Sequence, residues 1–203
     1  MPQPAEPENV DAEGIVKGMY LLKEGSFDGV GADARRAQLL ASGVGVAWAL
    51  EAQELLKRDF GVVADVWSVT SWNELRRDGL ACDEEKFLNP GADNPVPWVT
   101  QKLSGRPGPV IAVSDYMRQV QDQIQNWVPG EFASLGADGF GFSDTRAAAR
   151  RFFHIDGPSL VVRTLQQLAA SGEVDPSWPA RAAEQYRLKD VTAGSSGSVG
   201  GDA

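Results

Sequence analysis

Three times along this chain a short, almost wholly apolar run gives way to a small or polar turn and then to a helical segment. The runs are AQLLASG from Ala37, Val62 to Val69, and PVIAVSD from Pro109. Strands without polar alternation are buried on both faces, and parallel strands need a crossover long enough to hold a helix. The pattern therefore predicts an α/β fold in three layers, α/β/α, around a five-stranded, mostly parallel mixed sheet.

The remaining elements follow from local signals. Residues 14–25, GIVKGMYLLKEG, read as an extended segment between glycines that pairs antiparallel with AQLLASG, which makes the sheet mixed. After Gly43, small and apolar residues at helical spacing, Ala47, Leu50, Leu55 and Leu56, predict a helix stopped by Gly61. Ser71 and Glu74 have capping-box spacing for a helix starting at Trp72. The proline- and glycine-broken stretch that follows predicts an irregular excursion with a short helix around Val96 to Leu103. Ser114 or Asp115 is the expected cap of a helix over YMRQVQDQIQNWV, and EFASLG the last strand. Ser143 or Asp144 should cap TRAAARRFF, and a final helix runs from about Pro158 to Ser171, ended by Gly172. The domain then occupies residues 14–188. Residues 1–13, rich in Pro and Glu, read as a linker, and residues 189–203, rich in Gly and Ser, as a disordered tail.

A chain of 203 residues supports one sizeable core rather than two large catalytic domains. Its net charge of -9 opposes attraction to phosphate backbones, so nucleic acid is not an expected partner. A single cysteine excludes an intramolecular disulfide, and no apolar run reaches the roughly 18 residues that span a bilayer. The first residues have no secretory pattern, so a cytoplasmic location is expected.

Few residues invite chemistry. His154 is the only histidine and reads as a packing or surface residue between two helices. Cys82 stands beside Asp83, Glu84 and Glu85, whose field raises a thiol pKa, and three consecutive carboxylates do not converge on a metal. The turns at Ser42-Gly43, Thr70-Ser71, Ser114-Asp115 and Gly136 to Asp144 lie where α/β sheets usually bind ligands. GFGFSD has glycines before a helix but no P-loop lysine, and reads as a capped tight turn. Trp48, Trp67, Trp72, Trp98, Trp127 and Trp178 are dispersed, as core or interface anchors are.

The order of EGIVKGMYLLKEG, EAQELLKRDFGVVADVWSVTSWNELRRDG, SDYMRQV and GADGFGFSDTRAAARRFFHID resembles the C-terminal domain of bacterial homodimeric pyruvate dehydrogenases, from about Glu13 to Tyr186. The resemblance implies the transketolase C-terminal fold. It also implies a complete enzyme that decarboxylates pyruvate on thiamine diphosphate with magnesium and passes acetyl to lipoyl groups of a dihydrolipoyl acetyltransferase. The family's GDG motif, its distant NN pair, and its catalytic histidines and glutamate lie in preceding domains and do not occur here. No residue of this chain is therefore assigned a catalytic, cofactor-binding or metal-binding role, and no cofactor is expected to bind the chain alone. The turn within AQLLASGVGVAWALEA is more apolar than the family's, which weakens a ligand role there. The expected partners are the missing domains or a homodimer partner, for a chain that reads as a fragment, a split-gene product or a separately made domain. The alternative is a stand-alone ligand-binding or interaction module.

Overall fold

The computed structural model describes residues 10–195, and the parts of the expected linker and tail at residues 1–9 and 196–203 lie outside them. Five strands, β1 (Met19–Lys23), β2 (Arg36–Ala41), β3 (Val63–Val69), β4 (Val110–Val113) and β5 (Phe132–Leu135), form one sheet in the order β1-β3-β2-β4-β5. All neighbours are parallel except β1, which runs antiparallel to β3. The predicted mixed α/β/α sandwich is the observed one.

Side-chain alternation in the central strands feeds two cores. Leu39, Ala41, Ala64, Val66, Ile111 and Val113 face one layer, built on α2 (Gly45–Phe60) and α7 (Gly157–Ala170). Leu40, Trp67, Val69, Val110 and Ala112 face the other, covered by α3 (Trp72–Leu88) and α4 (Trp98–Leu103). Burial on both sides explains why β2, β3 and β4 carry so little polar alternation. Among their polar residues, Asp65 on β3 is fully buried, and Arg36 Nη2 donates to both of its carboxylate oxygens at 2.9 and 3.0 Å. Trp67 donates its indole N–H to Gln38 at 2.9 Å.

The local signals specify much of this. Gly61 stops α2 in the left-handed conformation, and the Ser71 hydroxyl accepts from the Glu74 N–H to start α3. Five expectations are corrected. The extended run expected from Gly14 opens instead with α1 (Ala12–Lys17), because the Asp11 carboxylate caps it and Gly18 (φ +105°) ends it. β1 does not pair with β2: the apolar β2 is flanked by β3 and β4, and β1, with partly exposed residues, takes the sheet edge.

The helix expected over YMRQVQDQIQNWV shrinks to α5 (Arg118–Asp122) and a 3-10 turn at Gln125–Trp127. Neither Ser114 nor Asp115 caps it. Met117 holds the cap position without a side-chain bond, because the Ser114 hydroxyl already accepts from Gln121 Nε2 and from the Tyr116 N–H. Likewise Thr145, not Ser143 or Asp144, caps α6 (Arg146–Phe152), accepting from the Ala148 N–H, while Asp144 accepts from the Thr145 N–H. Two elements had no counterpart in the pattern. One is α8 (Trp178–Gln185), packed on α7. The other is a 3-10 turn at Val191–Ser195 against α6, inside the segment expected to be a tail.

Candidate functional site

In an open parallel sheet, ligand-binding loops gather at the carboxyl ends of the strands, where the chain order reverses. Here the reversal falls between β2 and β4, so Ser42-Gly43 and Ser114-Asp115 flank it, with Thr70-Ser71 and the loop after Leu135 on either side. The four predicted turns thus share one rim. β1 runs antiparallel, so the segment entering the domain, α1, arrives at this rim too. Thr70 donates its hydroxyl to the Ile15 carbonyl at 2.7 Å, and the Thr70 and Ser71 N–H groups both reach the Gly18 carbonyl.

The rim hydroxyls have inward partners. Ser42 accepts from the Trp72 indole at 2.9 Å, Ser71 caps α3, and buried Ser114 is bonded by Gln121, which also donates to the Leu135 carbonyl at 3.1 Å. Asp138 is tied to Arg118 by its side chain and backbone N–H. Those bonds hold the Asp138 carboxyl below the usual carboxylate range. A magnesium diphosphate needs several free hard oxygens converging on the cation. Among the described residues no group of three or more His, Cys, Asp or Glu is placed to share a metal. The hydroxyls of Ser42, Ser71 and Ser114 and the Asp138 carboxylate are thus spent on bonds within the chain, and they do not supply the converging oxygens of a magnesium diphosphate site.

What the rim does present is aromatic. Phe140 is 97% exposed, and Tyr116, Met117, Phe142 and Phe152 are exposed as well. The loop carrying Phe140 and Phe142 is fastened to the Tyr116 segment, since the Ala137 N–H donates to the Tyr116 carbonyl at 2.8 Å. Gly136 allows that approach: a Cβ there would lie 2.5 Å from the Tyr116 oxygen. Phe142 meets the Phe152 ring edge-on at 4.7 Å. Exposed apolar surface of this kind marks a contact face. The only hint in the sequence is two phenylalanines interleaved with glycines in GFGF.

GFGFSD does not build an anion site. It leads into the seven-residue α6, where Thr145 already takes the Ala148 N–H. Further along the same segment, Arg151 is 3% exposed and acts as a clamp. Its guanidinium donates to Asp156 at 2.6 Å and to the Tyr186 and Arg187 carbonyls at 2.9 and 3.2 Å, joining α6, α7 and the end of α8. Asp156 in turn accepts from the Ser159 N–H and hydroxyl at the α7 N-terminus. Glu51 on α2 borders this cluster, and desolvation, with Asp156 nearby, pushes its carboxyl pKa up. Tyr186 is pushed up by burial and by its 2.7 Å bond to Asp59.

The remaining candidates separate. His154 sits exposed in the turn between α6 and α7 with φ +56°. Cys82 is buried on α3, where burial and then Asp78 and Asp83 raise its thiol pKa. Asp83 accepts from the Trp127 indole at 2.9 Å, and Glu84 and Glu85 point around the exposed side of α3. Four tryptophans, at 48, 67, 72 and 98, are buried anchors, whereas Trp127 and Trp178 are half-buried. No helix among the described residues is long and apolar enough to cross a membrane.

Comparison with known proteins places these features. Residues 18–156 match the family model of the transketolase-like TK C-terminal domain. The chain is 53% identical over 191 residues to a pyruvate dehydrogenase E1 component of Mycolicibacterium smegmatis, covering 94% of this chain and 20% of that protein. It is 52% identical to that of Mycobacterium tuberculosis over the same shares. The chain therefore spans about a fifth of the length of these curated relatives. Among solved structures, a transketolase from Campylobacter jejuni superposes with a TM-score of 0.51 at 22% identity, over 80% of this chain and 20% of that one. That likeness speaks to the fold alone.

Proposed function

Because the chain belongs to the transketolase-like C-terminal domain family, we propose that it serves as the C-terminal domain of a pyruvate dehydrogenase E1 component. The observation that carries this reading is the alignment of 94% of the chain, at 53% identity, with proteins of that name. In this reading, thiamine diphosphate and magnesium are held by domains outside the chain and supply the carbanion chemistry for decarboxylating pyruvate. The contribution of this chain is a rigid α/β body whose aromatic rim packs on those domains, on the partner half of a homodimer, or both. Entry of the chain at the same end of the strands supports that placement, since a preceding domain would be tethered at this end of the sheet, on its β1 side. Acetyl transfer to the lipoyl groups of a dihydrolipoyl acetyltransferase, in the cytoplasm, is the step the assembled enzyme would complete.

The test is calorimetric titration of the purified chain with thiamine diphosphate and magnesium. It is repeated after mixing with a protein comprising the two missing domains and assayed for pyruvate decarboxylation. Silence alone and turnover in the mixture are the expected results. Saturable cofactor binding by the chain alone would overturn the division of labour. Silence in both arms would overturn it in favour of an inactive fragment or a stand-alone interaction module.

A further inference from the structure

The two edges of the sheet are finished differently. On β1 the Met19 carbonyl is taken by the indole N–H of Trp98, from α4, at 3.1 Å, and the pairing register shifts between Leu21 and Lys23. A covering helix and a bulge are ways of keeping an edge strand from pairing with other chains. β5, the opposite edge, has neither.

The Val110 N–H donates to the Glu131 carbonyl at 2.8 Å and the Ser114 N–H to the Leu135 carbonyl at 3.3 Å. Residues 131, 133 and 135 therefore address β4, and the two-residue period of a strand turns the N–H and C=O of Phe132 and Ser134 away from the sheet. None of the described residues bonds these outward groups. Phe132, Ala133 and Ser134 are each partly exposed, so the edge is open.

Evenly spaced, unpaired donors and acceptors are satisfied by another extended backbone. The side chains beside them set its sequence. Phe132 packs toward the layer of α3 and α4, and on that same side the Ser134 hydroxyl donates to the Asp122 carboxylate at the end of α5. Ala133 turns to the α7 layer. Glu131 and Asp122 are both exposed and neither forms an ion pair within the described residues, while Arg118 is spent on Asp138. We infer that the β5 edge accepts a short, cationic, extended segment of another protein as a sixth strand, with Lys or Arg on the α5 side and small apolar residues on the α7 side. A second copy of this chain is the poorer occupant, because it sets Glu131 and Asp122 against acidic residues and each copy carries a net charge of -9. A strand of four residues offers few outward groups, so the alternation of side chains, rather than length, fixes the register.

Fluorescence anisotropy of a labelled short peptide alternating Lys and Val, titrated with the full chain, tests the inference. The same peptide N-methylated at every residue keeps the charges and loses the backbone donors, so it should bind at least about tenfold more weakly. Ser134→Pro deletes an outward donor and leaves the β4 ladder intact, which should weaken binding about tenfold. Ser134→Ala loses only the bond to Asp122 and should bind as the wild type does. Asp122→Lys should cost about tenfold. In the wild-type chain, adding the peptide should protect the Phe132 and Ser134 amides from hydrogen exchange. Absence of saturable binding, equal binding of the two peptides, or unchanged exchange at both amides would overturn the inference. Protection that arises without peptide and grows with chain concentration would also overturn it, assigning the edge to a second copy. Circular dichroism checks that each variant folds, and the peptide comparison and the exchange measurement need no variant.

Discussion

Replacing Arg151 by Met removes the clamp between α6, α7 and α8 while keeping much of its apolar stem volume. Breaking a buried ion pair by deleting one partner costs about 3–5 kcal/mol, because the other charge stays behind without compensation. Asp156 keeps the Ser159 N–H and hydroxyl and sits at the positive end of α7, which places the loss near the lower figure. Two carbonyls, of Tyr186 and Arg187, lose their donor at the same time. For a domain of this size each kcal/mol moves the midpoint by about 2–4 °C, so about 3 kcal/mol lowers Tm by about 6–12 °C. Differential scanning calorimetry measures it directly. Arg58→Met is the control, since the side chain of Arg58 is 66% exposed in its pair with Asp59 and such pairs are worth less than about 1 kcal/mol. Arg151→Met combined with Asp156→Asn should recover part of the loss, because the orphaned charge is gone. Equal midpoints for Arg151→Met and Arg58→Met, or a double variant worse than the sum of the singles, would refute the clamp.

Two further outcomes follow from packing and charge. Gly79→Ala puts a methyl group 2.4–2.6 Å from ring atoms of Trp127; overpacking of this kind costs about 1–3 kcal/mol in a urea titration, and an unchanged midpoint would mean that the ring yields freely. Glu51 has a raised pKa in the folded state, so its penalty is absent below the ordinary value of 4.5 and complete once pH exceeds the raised one. Glu51→Gln should therefore melt above the wild type at neutral pH, with the gap closing in acid, and a wild type more stable at pH 7 would reverse the argument.

The strand-and-helix alternation was legible because burial on both sheet faces leaves an apolar signature, and the α3 start because Ser71 and Glu74 carry their own cap. The first helix was hidden because a single carboxylate, Asp11, nucleates it at the edge of a Pro- and Glu-rich stretch. The partner of β1 is set by competition for the flanks of β2, which no local pattern encodes. The break after Asp122 and the choice of Thr145 over its neighbours turn on which hydroxyl is already engaged, a tertiary fact. The rim turns could be placed from the sequence, but not that Trp72, Gln121 and Glu74 would occupy their oxygens. α8 was missed because its apolar residues are few and it is held by neighbours, with Trp178 against Phe60 at 5.8 Å.

The arrival of the chain at the aromatic rim bears on how strongly that rim must bind. A domain joined ahead of Asp11 would meet this end of the sheet as a tethered neighbour, at an effective concentration in the millimolar range for a short flexible link. A face that holds under those terms needs only weak intrinsic affinity. Offered the same domain as a separate polypeptide, the rim must capture it by diffusion from dilute solution, and the occupancy of the pair then depends on how much of each chain is present.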